Sequence, residues 1–391
     1  MAALCAVGLA GCPELPEPPE DAAVASVSPL LFRSHPDGLR KSVSDLAIAP
    51  DGAMYVTGTR NVFSLGEAAQ YVMKLDSAGQ LLWTRTYGGP GVSEGFEILA
   101  EPDGGFVAAG ATRSSGAGRF DAYFVSAGPD GEERWSHTYG GDGYDFAHTV
   151  VRTPDGGYAL AGYTRSFGAG KMDMYLIKTD GAGNEEWSQT YGTARYEGAH
   201  GLCATRDGGY ALLGFQGDSE FDSYSSASRT YLVRTDASGA QRWARALPLL
   251  EFSEGYDLQE TDDGGFIIVG DAGFSGFFTK VDGSGNVIWT REPGLYQYGT
   301  DLVRIHPARD GGFMLVGNID KHIAEGGREV FLMKLTRAGN VSWRARVRTA
   351  RNTYGTSVIE GEDGVYTVAG FELDDMYTSP EEVFVLRARA P

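Results

Sequence analysis

The sequence predicts an all-β protein, a seven-bladed β-propeller of four-stranded blades, and three observations support this prediction. An Asp-Gly pair followed by an apolar run recurs seven times along the 391 residues. Six tryptophans recur in the same rhythm, and helical periodicity is absent. Repeats of this length are typical of propellers, in which each repeat forms one blade. The pairs begin at Asp51, Asp103, Asp155, Asp207, Asp263, Asp310 and Asp363, with spacings of 52, 52, 52, 56, 47 and 53 residues.

One repeat shows how the four strands are arranged. Residues 94–100 and 106–110 have the pattern of the first two strands, 123–126 of the third, and the residues around Trp135 of the fourth. Asp/Gly turns separate the strands, and glycine supplies the positive φ that tight hairpins require. Short strands joined in this way predict the antiparallel meander of a propeller blade.

The last repeat ends before its fourth strand, and the missing strand is predicted at the other end of the chain. Residues 29–38 align with residues 80–89, which places Phe32 51 residues before Trp83. We therefore expect an N-terminal strand to complete the seventh blade. Closing the ring in this way removes the open seam between the first and last blades. The predicted propeller spans residues 26–391.

The N-terminal residues have the composition of a targeting segment. The apolar run 1–11 predicts a signal peptide, and it is too short to span a bilayer. Leu9-Ala-Gly-Cys12 resembles the bacterial lipobox, which implies that Cys12 is acylated and becomes the mature N-terminus. The Pro/Glu-rich residues 12–25 then form a tether. We expect a lipid-anchored protein of the bacterial cell envelope, at the cell surface or on the periplasmic side of the outer membrane, with membrane contact only through Cys12.

The repeats resemble those of two known propeller families. Residues 175–187 are similar to the tryptophan-docking repeat of quinoproteins, in which a Trp packs on the next blade. Residues 138–145 and 154–164 resemble the SBBP-type bacterial repeat. Quinoprotein dehydrogenases hold pyrroloquinoline quinone with Ca²⁺ and vicinal cysteines, commonly in eight blades. This chain has seven repeats and a single body cysteine, Cys203. We therefore expect no cofactor, and the enzyme assignment stays open with a leaning towards no catalysis.

Composition and motifs limit the function classes. A net charge of -19 disfavours nucleic-acid binding, which depends on basic side chains neutralising phosphates. No P-loop or EF-hand loop is present in the sequence. Asp121 and Asp173 are interpreted as structural hydrogen-bonding groups rather than Ca²⁺ ligands. Basic residues at one position of the third strand, such as Lys178, are expected to pair with the Asp of the following turn, such as Asp180.

The long connections share one face of a propeller, and this face is where we place the candidate ligand contacts. They combine aromatic rings with carboxylates, which suits sugars or peptides. The alternative is that a repeated aromatic-acid pattern packs and caps the loops. His148 and His200 occupy equivalent positions, so they either share a ligand or serve the repeat. The candidates are Glu94, Tyr144, Asp145, His148, Tyr196, Glu197, His200, Glu254, Tyr256, Tyr298 and Tyr354.

The function predicted from these features is a binding or scaffolding module at the cell envelope. Its expected partner is an envelope protein or a polysaccharide. Two alternatives are a quinoprotein-like enzyme and a carbohydrate-active enzyme that uses two carboxylates.

Overall fold

The computed structural model describes residues 26–27, 32–33, 41–60, 68–218, 228–249, 252–273, 275–293, 299–320, 327–347, 352–361, 364–373 and 382–389. Every regular element among these residues is a β-strand, which confirms the all-β prediction. The first two are β1 (Ser26–Val27) and β2 (Phe32–Arg33).

The remaining strands follow the sequence repeats, and we number the repeats as units 1 to 7. Unit 1 contains β3 (Asp45–Ile48), β4 (Met54–Arg60), β5 (Ala69–Leu75) and β6 (Leu81–Tyr87). Unit 2 contains β7 (Ser93–Ala100), β8 (Phe106–Thr112), β9 (Asp121–Ala127) and β10 (Glu133–Tyr139). Unit 3 contains β11 (Asp145–Arg152), β12 (Tyr158–Thr164), β13 (Asp173–Thr179) and β14 (Glu185–Tyr191). Unit 4 contains β15 (Tyr196–Ala204), β16 (Tyr210–Gly217), β17 (Arg229–Thr235) and β18 (Gln241–Ala246).

The last three units continue the pattern. Unit 5 contains β19 (Ser253–Glu260), β20 (Phe266–Ala272), β21 (Ser275–Val281) and β22 (Val287–Arg291). Unit 6 contains β23 (Thr300–Pro307), β24 (Phe313–Asp320), β25 (Arg328–Leu335) and β26 (Val341–Val347). Unit 7 contains β27 (Asn352–Glu360), β28 (Val365–Leu373) and β29 (Glu382–Arg389).

Within each unit, consecutive strands pair antiparallel. Units 1 to 4 are separate four-stranded sheets, whereas a single parallel bridge between Ser275 and Thr300 joins units 5 and 6 into one eight-stranded sheet. The connections between the second and third strands, and those from one unit to the next, lie at the end where each first strand begins. We call this the long-loop end. The Asp-Gly turns lie at the opposite, tight-turn end.

The N-terminal strands β1 and β2 both pair with β29, the last strand of unit 7. Phe32 lies opposite Val385, whereas in unit 1 the equivalent aromatic residue, Trp83, lies opposite Lys74. Arg387 is the residue of β29 that corresponds to Lys74, so the alignment predicted that Phe32 would lie opposite Arg387. Phe32 instead lies opposite a residue two positions before Arg387 in the chain. The pairing is divided between two short strands, and a two-residue shift keeps the Phe32 ring on the same face.

Hydrophobic clusters of buried residues join neighbouring units. Six of them link units 1 to 7 in chain order. A seventh links unit 7 to unit 1, where Leu46 and Val56 pack with Val383 and Val385, and Phe32 packs against this cluster. Burial of apolar area between sheets is the main stabilising contribution here, at roughly 25 cal/mol per Å².

Tryptophans of the fourth strands dock on the next unit. The Trp187 ring lies against Gly239, whose φ of 80° closes the turn before β18. A Cβ on Gly239 would lie 2.6 Å from the Trp187 ring. The same contact is made by Trp83, Trp135, Trp243 and Trp289 on Gly131, Gly183, Gly285 and Gly339.

We expect Gly239→Ala to lower the free energy of unfolding by about 2–3 kcal/mol, since it combines left-handed strain with a clash on Trp187. Gly156→Ala is the matched control. Gly156 has a φ of 87° and open space where its Cβ would lie, so we expect only the strain cost of about 1 kcal/mol. Denaturant unfolding of both variants measures the difference. Equal losses would show that the tryptophan contact contributes nothing.

The basic residues of the third strands pair with acids, but not with those predicted. Lys178 Nζ lies 2.8 Å from Asp155, the Asp of the Asp-Gly turn, and 2.9 Å from Glu186. Lys280 and Lys334 likewise contact Asp263 and Asp310. The predicted partner Asp180 instead accepts the backbone N–H groups of its own turn, at Ala182 and Asn184. A short Asp side chain is saturated by these local bonds.

Candidate functional site

The first strands of the seven units surround one cavity of about 470 Å³, and each of them contributes lining residues. We call β3, β7, β11, β15, β19, β23 and β27 the inner strands. Their burial alternates: in β7, Ser93, Gly95 and Ile98 are buried, whereas Glu94, Phe96, Glu97 and Leu99 are half-buried. Of these residues, Glu97, Ile98 and Leu99 line the cavity, which lies towards the tight-turn end of the inner strands.

A β-bulge interrupts six of the inner strands at the same place. In β7 the register shifts between Gly95 and Glu97, so that Phe96 is the extra residue. A bulge places two successive side chains on nearly the same face. Each of these strands therefore presents two adjacent residues on the same side of its sheet. The extra residues are Phe96, His148, His200, Tyr256, Val303 and Thr356.

The residues that follow the six bulges, together with Asp45 at the equivalent place in β3, form a ring that we call the polar ring, although Gly201 has no side chain to contribute. Arg304 is its basic member, and its guanidinium Nη1 donates to Glu97 Oε1 at 3.1 Å. Arg304 Nη2 lies 3.8 Å from Asp45 Oδ1. These contacts cross from unit 6 to units 1 and 2. The ring consists of Asp45, Glu97, Thr149, Gly201, Asp257, Arg304 and Ser357.

The carboxylates of the polar ring also tie neighbouring inner strands together. Glu97 Oε2 accepts the Val150 N–H at 2.8 Å, and Asp257 Oδ2 accepts the Ile305 N–H at 3.0 Å. Asp45 Oδ2 accepts the Ile98 N–H at 3.2 Å. Each acid therefore satisfies a backbone donor of the next unit. This repeated bond gives the ring a structural role in addition to its charge.

Burial and charge shift the pKa values within the polar ring. Burial raises the pKa of Glu97 to about 7, against the opposing charge of Arg304. Burial likewise raises the pKa of Asp257 to about 6, again opposed by Arg304. The carboxylates raise the pKa of Arg304 further although its burial acts in the opposite direction, so it stays charged. At neutral pH, Glu97 is therefore divided between its two protonation states.

His148 and His200 meet beside the polar ring, as extra residues of adjacent inner strands. Their Nδ1 atoms are 3.3 Å apart and their rings are stacked with 5.4 Å between centroids. Burial lowers the pKa of His148 to about 3, with a further contribution from His200. Burial lowers the pKa of His200 to about 4. Both imidazoles are therefore neutral at physiological pH, so one ring donates to the other.

Above this pair, aromatic rings line the long-loop end on one side. Phe146 lies 6.2 Å from Phe96 and 4.8 Å from Tyr163, measured between ring centroids. His148 lies 4.6 Å from Phe96 and 5.4 Å from Tyr163. On the far side, Tyr354 stacks on Phe371 at 4.9 Å.

The side formed by units 5 and 6 is acidic. Tyr256 shares a hydrogen bond with Asp271, and burial raises the pKa of Asp271 to about 6, with Asp301 adding to the rise. Asp301 is held by Arg328 at 2.7 Å and by the Asn318 side chain at 2.9 Å. Glu254 is buried and accepts from Ser228 Oγ at 3.3 Å. The long-loop end therefore carries aromatic and acidic surfaces on separate units.

Two of the predicted ligand contacts lie inside the protein rather than on its surface. Asp145 accepts the Gly141 N–H at 2.9 Å and the Ser166 hydroxyl at 2.6 Å. Glu197 accepts from Thr193 Oγ1 at 2.5 Å and from Gln216 Nε2 at 2.8 Å. Both side chains are fully buried and cap the loops between units. Asp121 and Asp173 bind backbone N–H groups of their own loops in the same way.

The other predicted residues divide by position. Glu94, His148, His200, Glu254, Tyr256 and Tyr354 lie on the inner strands. Tyr144 and Tyr196 lie at the unit junctions, where Arg119 and Arg165 flank the Tyr144 ring and Lys171 covers the Tyr196 ring at 5.0 Å. Tyr298 and Cys12 lie outside the described residues, so their roles remain predictions.

The polar ring was absent from the predicted contacts, although a signal for it exists. Its members are separated by the same 52, 52, 52, 56, 47 and 53 residues as the Asp-Gly pairs. Position in the repeat, rather than residue type, identifies them. Among the described residues no group of three or more His, Cys, Asp or Glu side chains is arranged to hold a metal ion. In the same part of the chain, no helix has the length and hydropathy needed to cross a membrane.

Comparison with known proteins supports the fold. No protein-family description matches the sequence. The chain is 24% identical over 410 residues to the regulatory protein FlaEY of Caulobacter vibrioides, covering 86% of this chain but only 42% of that protein.

Three solved structures of β-propeller type resemble the fold. Puromycin hydrolase matches 89% of this chain and 53% of its own with a TM-score of 0.54 and 13% identity. Sqt1 from Chaetomium thermophilum matches 89% of this chain and 97% of its own with a TM-score of 0.50 and 12% identity. BBS1N, solved in complex with ARL6DN, matches 93% of this chain and 97% of its own with a TM-score of 0.50 and 10% identity. At these identities, only the propeller-type fold is shared.

Proposed function

We propose that the seven units are the blades of one closed propeller, completed by the N-terminal strands. The cluster between units 7 and 1, which includes Phe32, supports closure. The pairing of β1 and β2 with β29 supplies the outer strand of unit 7. A cavity bordered by all seven inner strands is the channel expected at the centre of such a ring.

The function we propose is binding or scaffolding at the bacterial cell envelope, with the ligand held at the long-loop end of the channel and the chain anchored by lipid at Cys12. An envelope protein or polysaccharide is the partner class. The name of the Caulobacter relative describes a regulatory protein, and a regulatory role agrees with binding rather than turnover. The lipobox-like residues 9–12 support the anchor.

One observation carries the binding proposal: a position near the start of the inner strands, at the long-loop end, varies between units while a nearby position on the second strand does not. The position three residues before each member of the polar ring holds six residue types in seven units: Ser42, Glu94, Phe146, Gly198, Glu254, Asp301 and Tyr354. A nearby position of the second strand is glycine in every unit, and in unit 2 this glycine pairs with Gly95, the residue after Glu94. The glycines are Gly58, Gly110, Gly162, Gly214, Gly270, Gly317 and Gly370.

A repeated residue answers a repeated structural need. A Cβ on Gly162, for example, would lie 2.0 Å from the Phe146 carbonyl oxygen, so the backbones can approach only with glycine. No close backbone approach of this kind determines the residue type at the variable position. Aromatic and acidic groups converging there are the composition expected of a ligand site.

The proposal is tested with tagged full-length protein expressed in a bacterial host. We expect the wild-type chain in the membrane fraction and Cys12→Ser in the soluble fraction. From detergent extract, the wild-type chain is expected to retain a specific protein or polysaccharide that Tyr163→Ala/Tyr354→Ala retains at least about tenfold less, as expected for loss of central aromatic contacts.

Phe167→Ala is the matched aromatic control, because Phe167 is 47% exposed in the loop after β12, away from the channel. Equal retention of the partner by the double variant and by this control would place binding elsewhere. Membrane retention of Cys12→Ser would remove the lipid anchor. Turnover of a defined substrate by the wild-type chain would replace the binding proposal with an enzymatic function.

A further inference from the structure

In units 1 to 3 the variable position of the inner strand holds Ser42, Glu94 and Phe146, so Glu94 is the acid among them. Its carboxylate has no ion pair among the described residues. It is half-buried near the start of β7. Burial alone raises the pKa of Glu94, and no cation opposes the rise. By contrast, Asp301 on the acidic side has Arg328, and Glu97 deeper in the channel has Arg304. A partly desolvated carboxylate without a cation costs free energy, which a bound cation would recover.

Aromatic rings border Glu94. Phe96 is two residues further along the same strand, so its side chain lies on the same face. Phe146 and His148 lie on the adjacent inner strand within 6.2 Å and 4.6 Å of the Phe96 ring centroid. Tyr163 lies opposite Phe146 on β12, and their ring centroids are 4.8 Å apart. Burial raises the pKa of Tyr163, and the Glu94 charge adds to the rise. We call Glu94, Phe96, Phe146, His148 and Tyr163 the aromatic cage.

We propose that the aromatic cage binds an organic ammonium group, carried by a lysine side chain of a partner or by a free alkylamine. This inference rests on the proposed function, and it specifies the chemistry that the long-loop end recognises. The faces of aromatic rings attract a cation electrostatically, and the carboxylate supplies a direct ion pair. Both interactions strengthen in a site that excludes most water.

The neighbouring charges favour an ammonium group over an anion. His148 and its partner His200 are neutral at physiological pH because burial lowers the pKa of both. Arg165 also acts on Tyr163, but its guanidinium lies over the Tyr144 ring, 5.5 Å from the centroid. Two groups beside Glu94 are uncharged: Ala111 lies opposite it on β8, and Gln70 lies beside the following Gly95.

A metal ion fits the cage less well than an ammonium group. Hard cations such as Ca²⁺ need six to eight oxygen ligands, and the cage offers one carboxylate and one phenol. Transition metals bind imidazole nitrogen, but the His148 and His200 Nδ1 atoms are already engaged with each other. Cation–π contacts need no further donors, so the existing rings are sufficient.

The test is calorimetric titration of the full-length protein at pH 7.5 with two probe pairs. The first pair is the acetylated, amidated tripeptide Gly-Lys-Gly and the same peptide with Nε-acetyl-lysine. The second pair is butylamine and butanol. We expect both ammonium probes to bind and both neutral partners to bind at least about tenfold more weakly. Tighter binding of the tripeptide than of butylamine would identify a protein partner as the source of the ammonium, and the reverse order a free amine.

Three variants assign the binding to the cage. We expect Glu94→Gln to weaken ammonium binding at least about tenfold and Tyr163→Leu about fivefold, with the wild-type circular dichroism retained. Glu185→Gln is the charge-matched control, since Glu185 is exposed on the outermost strand of unit 3, and it should leave the affinity unchanged. The wild-type affinity should also fall as the pH drops through the raised pKa of Glu94, and Glu94→Gln should lose this dependence.

Equal affinity for charged and neutral probes, or unchanged affinity in Glu94→Gln, would overturn the inference. So would an absence of binding by both ammonium probes. A partner retained by the wild-type chain and lost in Tyr163→Ala/Tyr354→Ala, without ammonium binding, would overturn only the cage chemistry and leave the proposed function standing.

Discussion

Replacing Arg304 by Met is expected to lower the melting temperature by about 4–7 °C at pH 8, and by much less at pH 5. Arg304 faces Glu97 at 3.1 Å and Asp45 at 3.8 Å within the polar ring. Removing one partner of an enclosed ion pair leaves the other charge without compensation, which costs about 3–5 kcal/mol. For a protein of this size each kcal/mol corresponds to roughly 1.3 °C.

The pH dependence follows from the raised pKa values. Folding raises the pKa of Glu97 to about 7 and that of Asp257 to about 6. At any pH between the ordinary pKa of each acid and its raised folded-state pKa, the folded state binds more protons than the unfolded state. The free energy of unfolding therefore falls as the pH rises through that window. At pH 5 the two acids are largely protonated and need no cation. At pH 8 they are ionised, and the loss of Arg304 has its full effect.

Scanning calorimetry at both pH values measures this difference, and two further variants make it specific. Glu97→Gln/Arg304→Met should recover part of the stability at pH 8. Arg85→Met removes the exposed pair between Arg85 and Glu132, which should cost less than about 1 kcal/mol at either pH. A loss in Arg304→Met that is identical at pH 5 and pH 8 would contradict the electrostatic role of the ring.

Deleting residues 26–38 is expected to lower the melting temperature by about 10 °C or more, whereas deleting residues 12–25 should leave it unchanged. The reason is that β1 and β2 pair with β29, the last strand of unit 7. Their loss exposes an unpaired strand edge and removes Phe32 from the cluster that joins units 7 and 1. We also expect the deletion variant to associate, because an exposed edge strand pairs readily with another chain.

Thermal unfolding combined with light scattering tests both expectations. The point variant Phe32→Ala separates the two contributions, since it removes the ring and keeps the backbone pairing. It should be less destabilising than the deletion. Identical melting temperatures for the two deletions would show that the N-terminal strands do not close the structure.

The strands were predictable because each is short, apolar and bounded by an Asp-Gly turn that repeats. The segment 106–110, for instance, lies within β8, and the residues around Trp135 form β10. The register of Phe32 was not predictable to the residue. No turn connects β2 to β29, so neither loop length nor turn geometry fixes the pairing, and packing of the ring decides it.

The site was predictable only in part. His148 and His200 were recognised as equivalent positions, and the structure brings their rings into contact. Asp145 and Glu197 follow loop glycines and were taken for surface acids, but at the start of an inner strand each turns inward to cap the preceding loop. Arg304 and Glu97 are 207 residues apart, and nothing local in the sequence indicates that they meet. Arg304 and Glu97 meet because the inner strands surround one cavity.

The bulge shared by six inner strands has a consequence for how such a chain can diversify. Without it, an alternating strand would offer every second residue to the channel, and each substitution there would be flanked by core residues on both sides. The extra residue lets one side chain of each adjacent pair, such as Glu97, hold the next unit in place while the other, such as Phe96, is free to change. Successive units can thus carry different side chains at the extra position, such as Phe96, Tyr256 and Thr356. Acids such as Glu97 and Asp257 meanwhile keep the same backbone bond to the next unit.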